Sequence, residues 1–115
     1  MLTRESFLKA AAPGRLEAFE APDVGKVYLR VLTLAELGPV VKRQEAEPTG
    51  SLKGAAILVA ATLCDKDRKA LFDVSSHVDI EALCDLPFSL IRAISDAAAK
   101  VNGLGETAVK DAEKN

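Results

Sequence analysis

Lys26-Val27-Tyr28-Leu29-Arg30-Val31-Leu32 sets Val27, Leu29 and Val31 in alternation with Lys26, Tyr28 and Arg30. A period of two marks a strand with one buried and one wetted face, because successive side chains leave extended backbone on opposite sides. Just before it stands Pro22-Asp23-Val24-Gly25, a turn-forming quartet in which Gly25 takes positive φ without a steric penalty. Arg15 to Ala21, on the far side of that turn, also has strand character, so the two segments read as an antiparallel β-hairpin. This hairpin sets the fold class, because nearly everything else in the chain reads as helix.

Toward the N-terminus, Thr3 is a good N-cap, and Leu2 and Phe7 have the spacing of a hydrophobic staple. A short helix is expected from Arg4 to Ala11, ended by Pro13-Gly14. Beyond the hairpin, Thr33-Leu34-Ala35-Glu36 has capping-box spacing and starts a second helix. Gly38-Pro39 disturbs it early, but Val40, Val41 and the charged Lys42 to Glu47 continue it to a stop at Pro48-Thr49-Gly50. Ser51 to Leu63 is apolar on most sides with Lys53 its only charge, the pattern of a buried central helix.

Asp65 to Lys69 makes a polar turn between Leu63-Cys64 and Ala70-Leu71-Phe72, a second and very small hairpin. Ser76 caps a short helix through Cys84, and Asp85 with Pro87 starts the last long one. There Leu90, Ile91, Ile94, Ala97, Ala98 and Val101 form a core-facing stripe opposite Arg92, Asp96 and Lys100. That helix stops at Asn102, with Gly103 as its left-handed terminal residue, Leu104 folded back on it, and Gly105 freeing the backbone again. Glu106 to Lys114 then forms a last short helix with its acid first and its base last. The expected fold is α+β and mostly α-helical, an N-terminal β-hairpin packed on a small helical bundle. Residues 1–104 form one globular domain, and 105–115 a short C-terminal helix or tail.

At 115 residues, the chain is long enough to hold a core without disulfides or metals. Its hydrophobic content of 49% is rich in alanine and poor in aromatics, so that core is modest. The net charge of -2, with both signs interspersed, gives no basic face to neutralise a row of phosphates, which argues against nucleic-acid binding. The longest apolar run, Ala55 to Leu63, is far short of the ~20 residues of a membrane span. Arg4, Glu5 and Lys9 occupy the place where a signal peptide has its apolar core, so the protein is expected in the cytosol. Cys64 and Cys84 are then expected as buried small hydrophobes.

Each constellation that could carry chemistry lacks a component. Asp65-x-Asp67 begins like a calcium loop, but Lys69, Ala70 and Ser76 replace an oxygen ligand, the turn glycine and the bidentate glutamate. His77, Cys64 and Cys84 lack the close spacing of a zinc site, and His77 reads as an exposed first-turn residue. Gly103-x-Gly105 follows a helix rather than a strand and lacks the third glycine of a phosphate cradle. No cofactor, metal site or enzyme is expected.

Val101-Asn102-Gly103-Leu104-Gly105-Glu106, followed by small, apolar and charged residues to a Lys-Asn end, resembles the tail assembly chaperones of long-tailed bacteriophages. Met1-Leu2-Thr3-Arg4-Glu5-Ser6-Phe7-Leu8, the Gly25 to Leu32 segment leading into Thr33-Leu34-Ala35-Glu36, and Leu63-Cys64-Asp65 before Leu71-Phe72 fall in the order that family shows. The resemblance implies a protein that binds and solubilises the tape measure protein and promotes tail tube polymerisation around it. It implies tail tube protein as a second partner through a frameshifted longer form, with self-association open. The place of action is the host cytoplasm, and the mature virion is expected to lack the protein. Glu113-Lys114-Asn115 matches codons on which a ribosome slips, so this chain is expected to be the short product. Asn102, Gly103, Leu104, Gly105 and Val109 are the expected partner-binding residues. A head-to-tail connector or tail terminator is the alternative, separated from a chaperone by its presence in purified particles.

Overall fold

Thr3 opens the first helix as its chemistry requires. Its Oγ1 accepts from the Ser6 N–H at 3.1 Å, and Ser6 Oγ accepts in return from the Thr3 N–H at 2.9 Å. A computed structural model of the chain describes residues 1–11 and 14–104. In it this helix, α1, spans Arg4–Ala10, one residue short of expectation, and buries none of its residues. Leu2 and Phe7 remain 72% and 56% exposed, so the staple spacing shields neither from water.

The hairpin follows as read. Strands β1 (Leu16–Ala21) and β2 (Gly25–Arg30) pair antiparallel, from Leu16 opposite Arg30 to Ala21 opposite Gly25. Asp23 and Gly25 carry the reversal at φ 64° and 96°, the left-handed region that aspartate tolerates and glycine enters freely. Leu29 is fully buried and Val27 and Val31 are partly so, as the alternation requires. The ladder stops short of Leu32 because the Leu32 N–H turns away to a side chain, the Asn102 Oδ1 at 2.7 Å.

Helix α2 spans Leu34–Glu45 behind a complete capping box: Thr33 Oγ1 accepts from the Glu36 N–H, and Glu36 Oε1 from the Thr33 N–H. Pro39 cannot donate to the Ala35 carbonyl, yet the helix runs on through it and buries Val40. Helix α3, Lys53–Thr62, has seven consecutive buried residues from Ala56 to Thr62, as an all-round apolar segment should. Its one buried hydroxyl, on Thr62, donates back to the Leu58 carbonyl at 2.8 Å.

Leu63 was expected to end that helix but belongs to a strand. β3 (Leu63–Cys64) continues from α3 with no linker and pairs antiparallel with β2, Leu63 opposite Leu29 and Cys64 opposite Tyr28. The expected second hairpin is reduced to a single Cys64–Ala70 bridge, and the sheet gains a third strand in the order β1-β2-β3. Helices α4 (His77–Cys84) and α5 (Phe88–Val101) complete the described chain. α3 lies at the centre against α2, α4 and α5, and α5 also covers β1 and β2. The fold is α+β, with an N-terminal hairpin extended to a small sheet and packed on a helical bundle. The short helix expected over Glu106 to Lys114 lies outside the described residues.

Candidate functional site

Pro87 separates the last two helices beside an apolar concavity. With φ fixed near -55° it disfavours helix in the residue before it, so α4 ends at Cys84 and α5 restarts at Phe88, where the Pro87 carbonyl accepts from the Leu90 and Ile91 N–H groups. The first turn of α3 lies beside this junction, and the two border an apolar groove of about 340 Å³. Lys53 and Ala56 line it from α3 and Leu52 from the residue that precedes that helix, Leu83 and Cys84 from α4, and Leu86, Phe88 and Ile91 from the junction and α5. Ala56, Leu83 and Ile91 belong to the core, whereas Leu52, Leu86 and Phe88 stand 73%, 42% and 58% exposed around it. Three large apolar side chains are thus left in water about one concavity.

The rim is charged. Lys53 Nζ reaches Glu81 Oε1 at 2.7 Å, from α3 to α4, and that hydrogen bond raises the lysine pKa and lowers the glutamate's. Cys84 was expected in the core but is exposed beside this pair, at the last residue of α4, where the helix ends at the mouth of the groove. Partial burial in the groove, and then the nearby Glu81 carboxylate, push its thiol above the usual range. Cys64 is buried, as expected, and both cysteines are free.

A second polar constellation locks the sheet to α2. Glu36 accepts from Arg30 Nη1 at 3.4 Å and from Arg68 Nη2 at 3.2 Å, while Arg68 Nη2 also donates to the Val31 carbonyl and Arg30 Nε to the Ala61 carbonyl. The Thr33 N–H, with Arg68 behind it, holds the Glu36 carboxyl below its ordinary range. Arg68 reaches this position from the Asp65–Lys69 turn with φ at 68°. Asp65 Oδ1 is spent inside that turn, accepting from the Asp67 and Lys69 N–H groups at 2.8 and 2.9 Å. Its acidic pair therefore shapes a loop.

The expected partner-binding residues lie elsewhere. Asn102, Gly103 and Leu104 are at the far end of α5, about 20 Å from Phe88 by helical rise. Asn102 is committed to its own fold: besides accepting from Leu32, its Nδ2 donates to the Ala98 carbonyl at 2.9 Å and the Arg30 carbonyl at 3.3 Å. Gly103, at φ 72°, and Leu104 close a Schellman motif through their N–H groups to the Lys100 and Ala99 carbonyls. Leu104 is 42% exposed. Gly105 and Val109 lie outside the described residues. The groove residues were not singled out from the sequence, although Phe88 carries a signal: it is a large aromatic in the first turn of α5, off the stripe formed by Ile91, Ile94 and Ala98.

The chain matches no protein-family model, no curated protein and no solved structure. Among the described residues, no three His, Cys, Asp or Glu side chains gather as a metal site, and no helix is long and apolar enough to cross a membrane. His77 opens α4 with its side chain 74% exposed, 3.7 Å from Glu81.

Proposed function

We propose that this protein is a tail assembly chaperone of a long-tailed bacteriophage, which binds apolar helical segments of the tape measure protein, keeps them soluble, and promotes polymerisation of tail tube protein around them. The observation that carries the reading is the groove ringed by Leu52, Leu86 and Phe88. It supports this reading because a client helix inserts two or three apolar side chains into such a concavity, the helix-in-groove mode of recognition. The order of segments along the chain, which resembles that of the chaperone family, supports it independently. The work is non-covalent and needs no cofactor. It belongs in the host cytoplasm, and the protein leaves before the virion matures.

The test is retention of tape measure fragments in the supernatant after centrifugation, with wild-type protein and with Phe88→Asp. Wild-type protein keeps the fragments soluble, Phe88→Asp does not, and moderate salt leaves the effect in place, because exposed charge pairs fade over a Debye length of ~10 Å at 0.1 M whereas apolar burial does not. Failure of the wild-type domain to bind or solubilise any cognate fragment refutes the reading. Stoichiometric presence in purified virions also refutes it, in favour of a head-to-tail connector or tail terminator.

A further inference from the structure

The end of α5 is closed by a dipeptide that is chemically stable only in the shape the fold gives it. Gly103 is there for its backbone: at φ 72° an L side chain is strained, although an added Cβ would meet no atom within 4 Å. Asn102 is there for its amide, which engages the Leu32 N–H and the Ala98 and Arg30 carbonyls. Different parts of the cap require the two residues, and together they make the one Asn-Gly pair in the sequence.

In a flexible chain that pair reacts with itself. The Gly103 nitrogen, unshielded by any side chain of its own, gives up its proton to base and attacks Asn102 Cγ. An N–Cγ bond forms, the Cγ–Nδ2 bond breaks, and Nδ2 leaves as ammonia on taking up a proton. Water then opens the resulting cyclic imide. Cleavage of the new bond leaves aspartate, whereas cleavage of the original peptide bond leaves isoaspartate, with the main chain rerouted through Cβ and Cγ. In sum an amide and water become an acid and ammonia, and no oxidant or cofactor takes part.

The folded domain blocks the first step. At φ -97° and ψ 9° the Gly103 nitrogen nearly eclipses the Asn102 nitrogen about the Cα–C bond, so it stands away from Cβ and out of reach of Cγ. The Gly103 N–H donates to the Lys100 carbonyl at 3.2 Å, which holds the proton that must leave. Nδ2 donates to Ala98 and Arg30 while Oδ1 accepts from Leu32, so the carboxamide cannot turn toward the glycine. Access is not the barrier, because Gly103 is exposed to water and base. The protection lies in the conformation and the hydrogen bonds that fix it.

We infer that Asn102-Gly103 is a deamidation site held shut by the contact of α5 with β2, and that it turns prolonged opening of that contact into a covalent, one-way change. A copy whose α5 end stays open is converted. Its aspartate keeps an acceptor for Leu32 but sets a carboxylate against two carbonyl oxygens at a helix C-terminus, and its isoaspartate also lengthens the main chain by one atom. Neither product restores the cap. The inference does not depend on what the groove binds.

The test follows the full chain, with reductant present, in mildly alkaline native buffer and in the same buffer with unfolding guanidinium chloride. Trypsin releases residues 101–110, in which the mass gain of an amide turned acid, together with methylation by isoaspartyl methyltransferase, reads the conversion. The peptide converts in denaturant, and about thirtyfold or more slowly in native buffer, the population cost of opening three hydrogen bonds. On dilution, a brief hold in denaturant returns protein with its original unfolding midpoint. A long hold returns a fraction with a lower midpoint, equal to the fraction converted. Equal rates in the two buffers overturn the inference, because the fold would then not be what protects the site. So does absence of conversion in denaturant, or converted protein with an unchanged midpoint, since the cap would then tolerate the product.

Discussion

Replacing Asn102 by alanine should destabilise the domain by about 2–3 kcal/mol without touching its hydrophobic core. The side chain makes three hydrogen bonds, at 2.7 Å from the Leu32 N–H and at 2.9 and 3.3 Å to the Ala98 and Arg30 carbonyls. Each contributes about 0.5–1.5 kcal/mol net, and the Leu32 N–H, left part-buried without an acceptor, adds to the loss. The amide orientation is fixed by its partners, since the reverse would set an NH₂ group against the Leu32 N–H. Asn102→Asp keeps the acceptor for Leu32 but turns a carboxylate on two carbonyl oxygens at a helix C-terminus, where the dipole term alone costs about 0.3–1 kcal/mol. It should be no better than alanine. Urea unfolding followed by circular dichroism measures both variants, with an unchanged m-value showing that the loss is one of stability and not of compactness. A loss below ~0.5 kcal/mol for Asn102→Ala, or near-complete rescue by aspartate, refutes the assignment of Asn102 as the pin between α5 and β2, since the bonds would then add less than the range given for even one of them.

Because the Glu36 carboxyl is held below its ordinary value of 4.5 in the folded state, its charge stabilises the fold at neutral pH, and that contribution is lost as the pH falls through the folded-state pKa. Glu36→Gln keeps the capping acceptor and removes the charge, so its stability deficit in denaturant unfolding should be present at neutral pH and shrink in acid; a deficit independent of pH contradicts the ion-pair role. The two thiols should separate under maleimide in native buffer. The exposed Cys84 should react, and increasingly so as the pH rises, because its raised pKa leaves little thiolate at neutrality, while Cys64 should wait for unfolding. Equal rates at the two positions would refute the burial assigned to them.

The local features were legible in the sequence because local chemistry decides them. The Val27–Leu29–Val31 alternation, the Thr33–Glu36 capping box and the apolar Ala55–Ala61 run each carry their structure within a few residues. β3 was not legible, since a strand of two residues has no period, and its partner β2 lies more than thirty residues earlier. Arg30 read as a wetted strand residue, yet its guanidinium reaches the Ala61 carbonyl and Glu36, a use that only the folded arrangement of β2, α2 and α3 creates. Cys84 misled for a related reason: the residue type is usually buried and its i+4 spacing from Ile80 points to the core, but it is the last residue of α4, where the packing of the helix runs out. As for the groove, its lining runs from Leu52 to Ile91, and no local window of sequence contains both ends.

The junction of α3 and β3 constrains how this chain can change in length. With Thr62 the last residue of the helix and Leu63 the first of the strand, an insertion between them would turn Leu63 and Cys64 to opposite faces of the sheet and break their register with Leu29 and Tyr28. The Asp65–Lys69 turn is little freer, since Arg68 must arrive beside Glu36. Indels in descendants of this sequence should collect instead at Pro48-Thr49-Gly50, an exposed stretch between α2 and α3. From Lys53 to Ala70 the lineage can substitute residues but has almost no freedom to add or drop them.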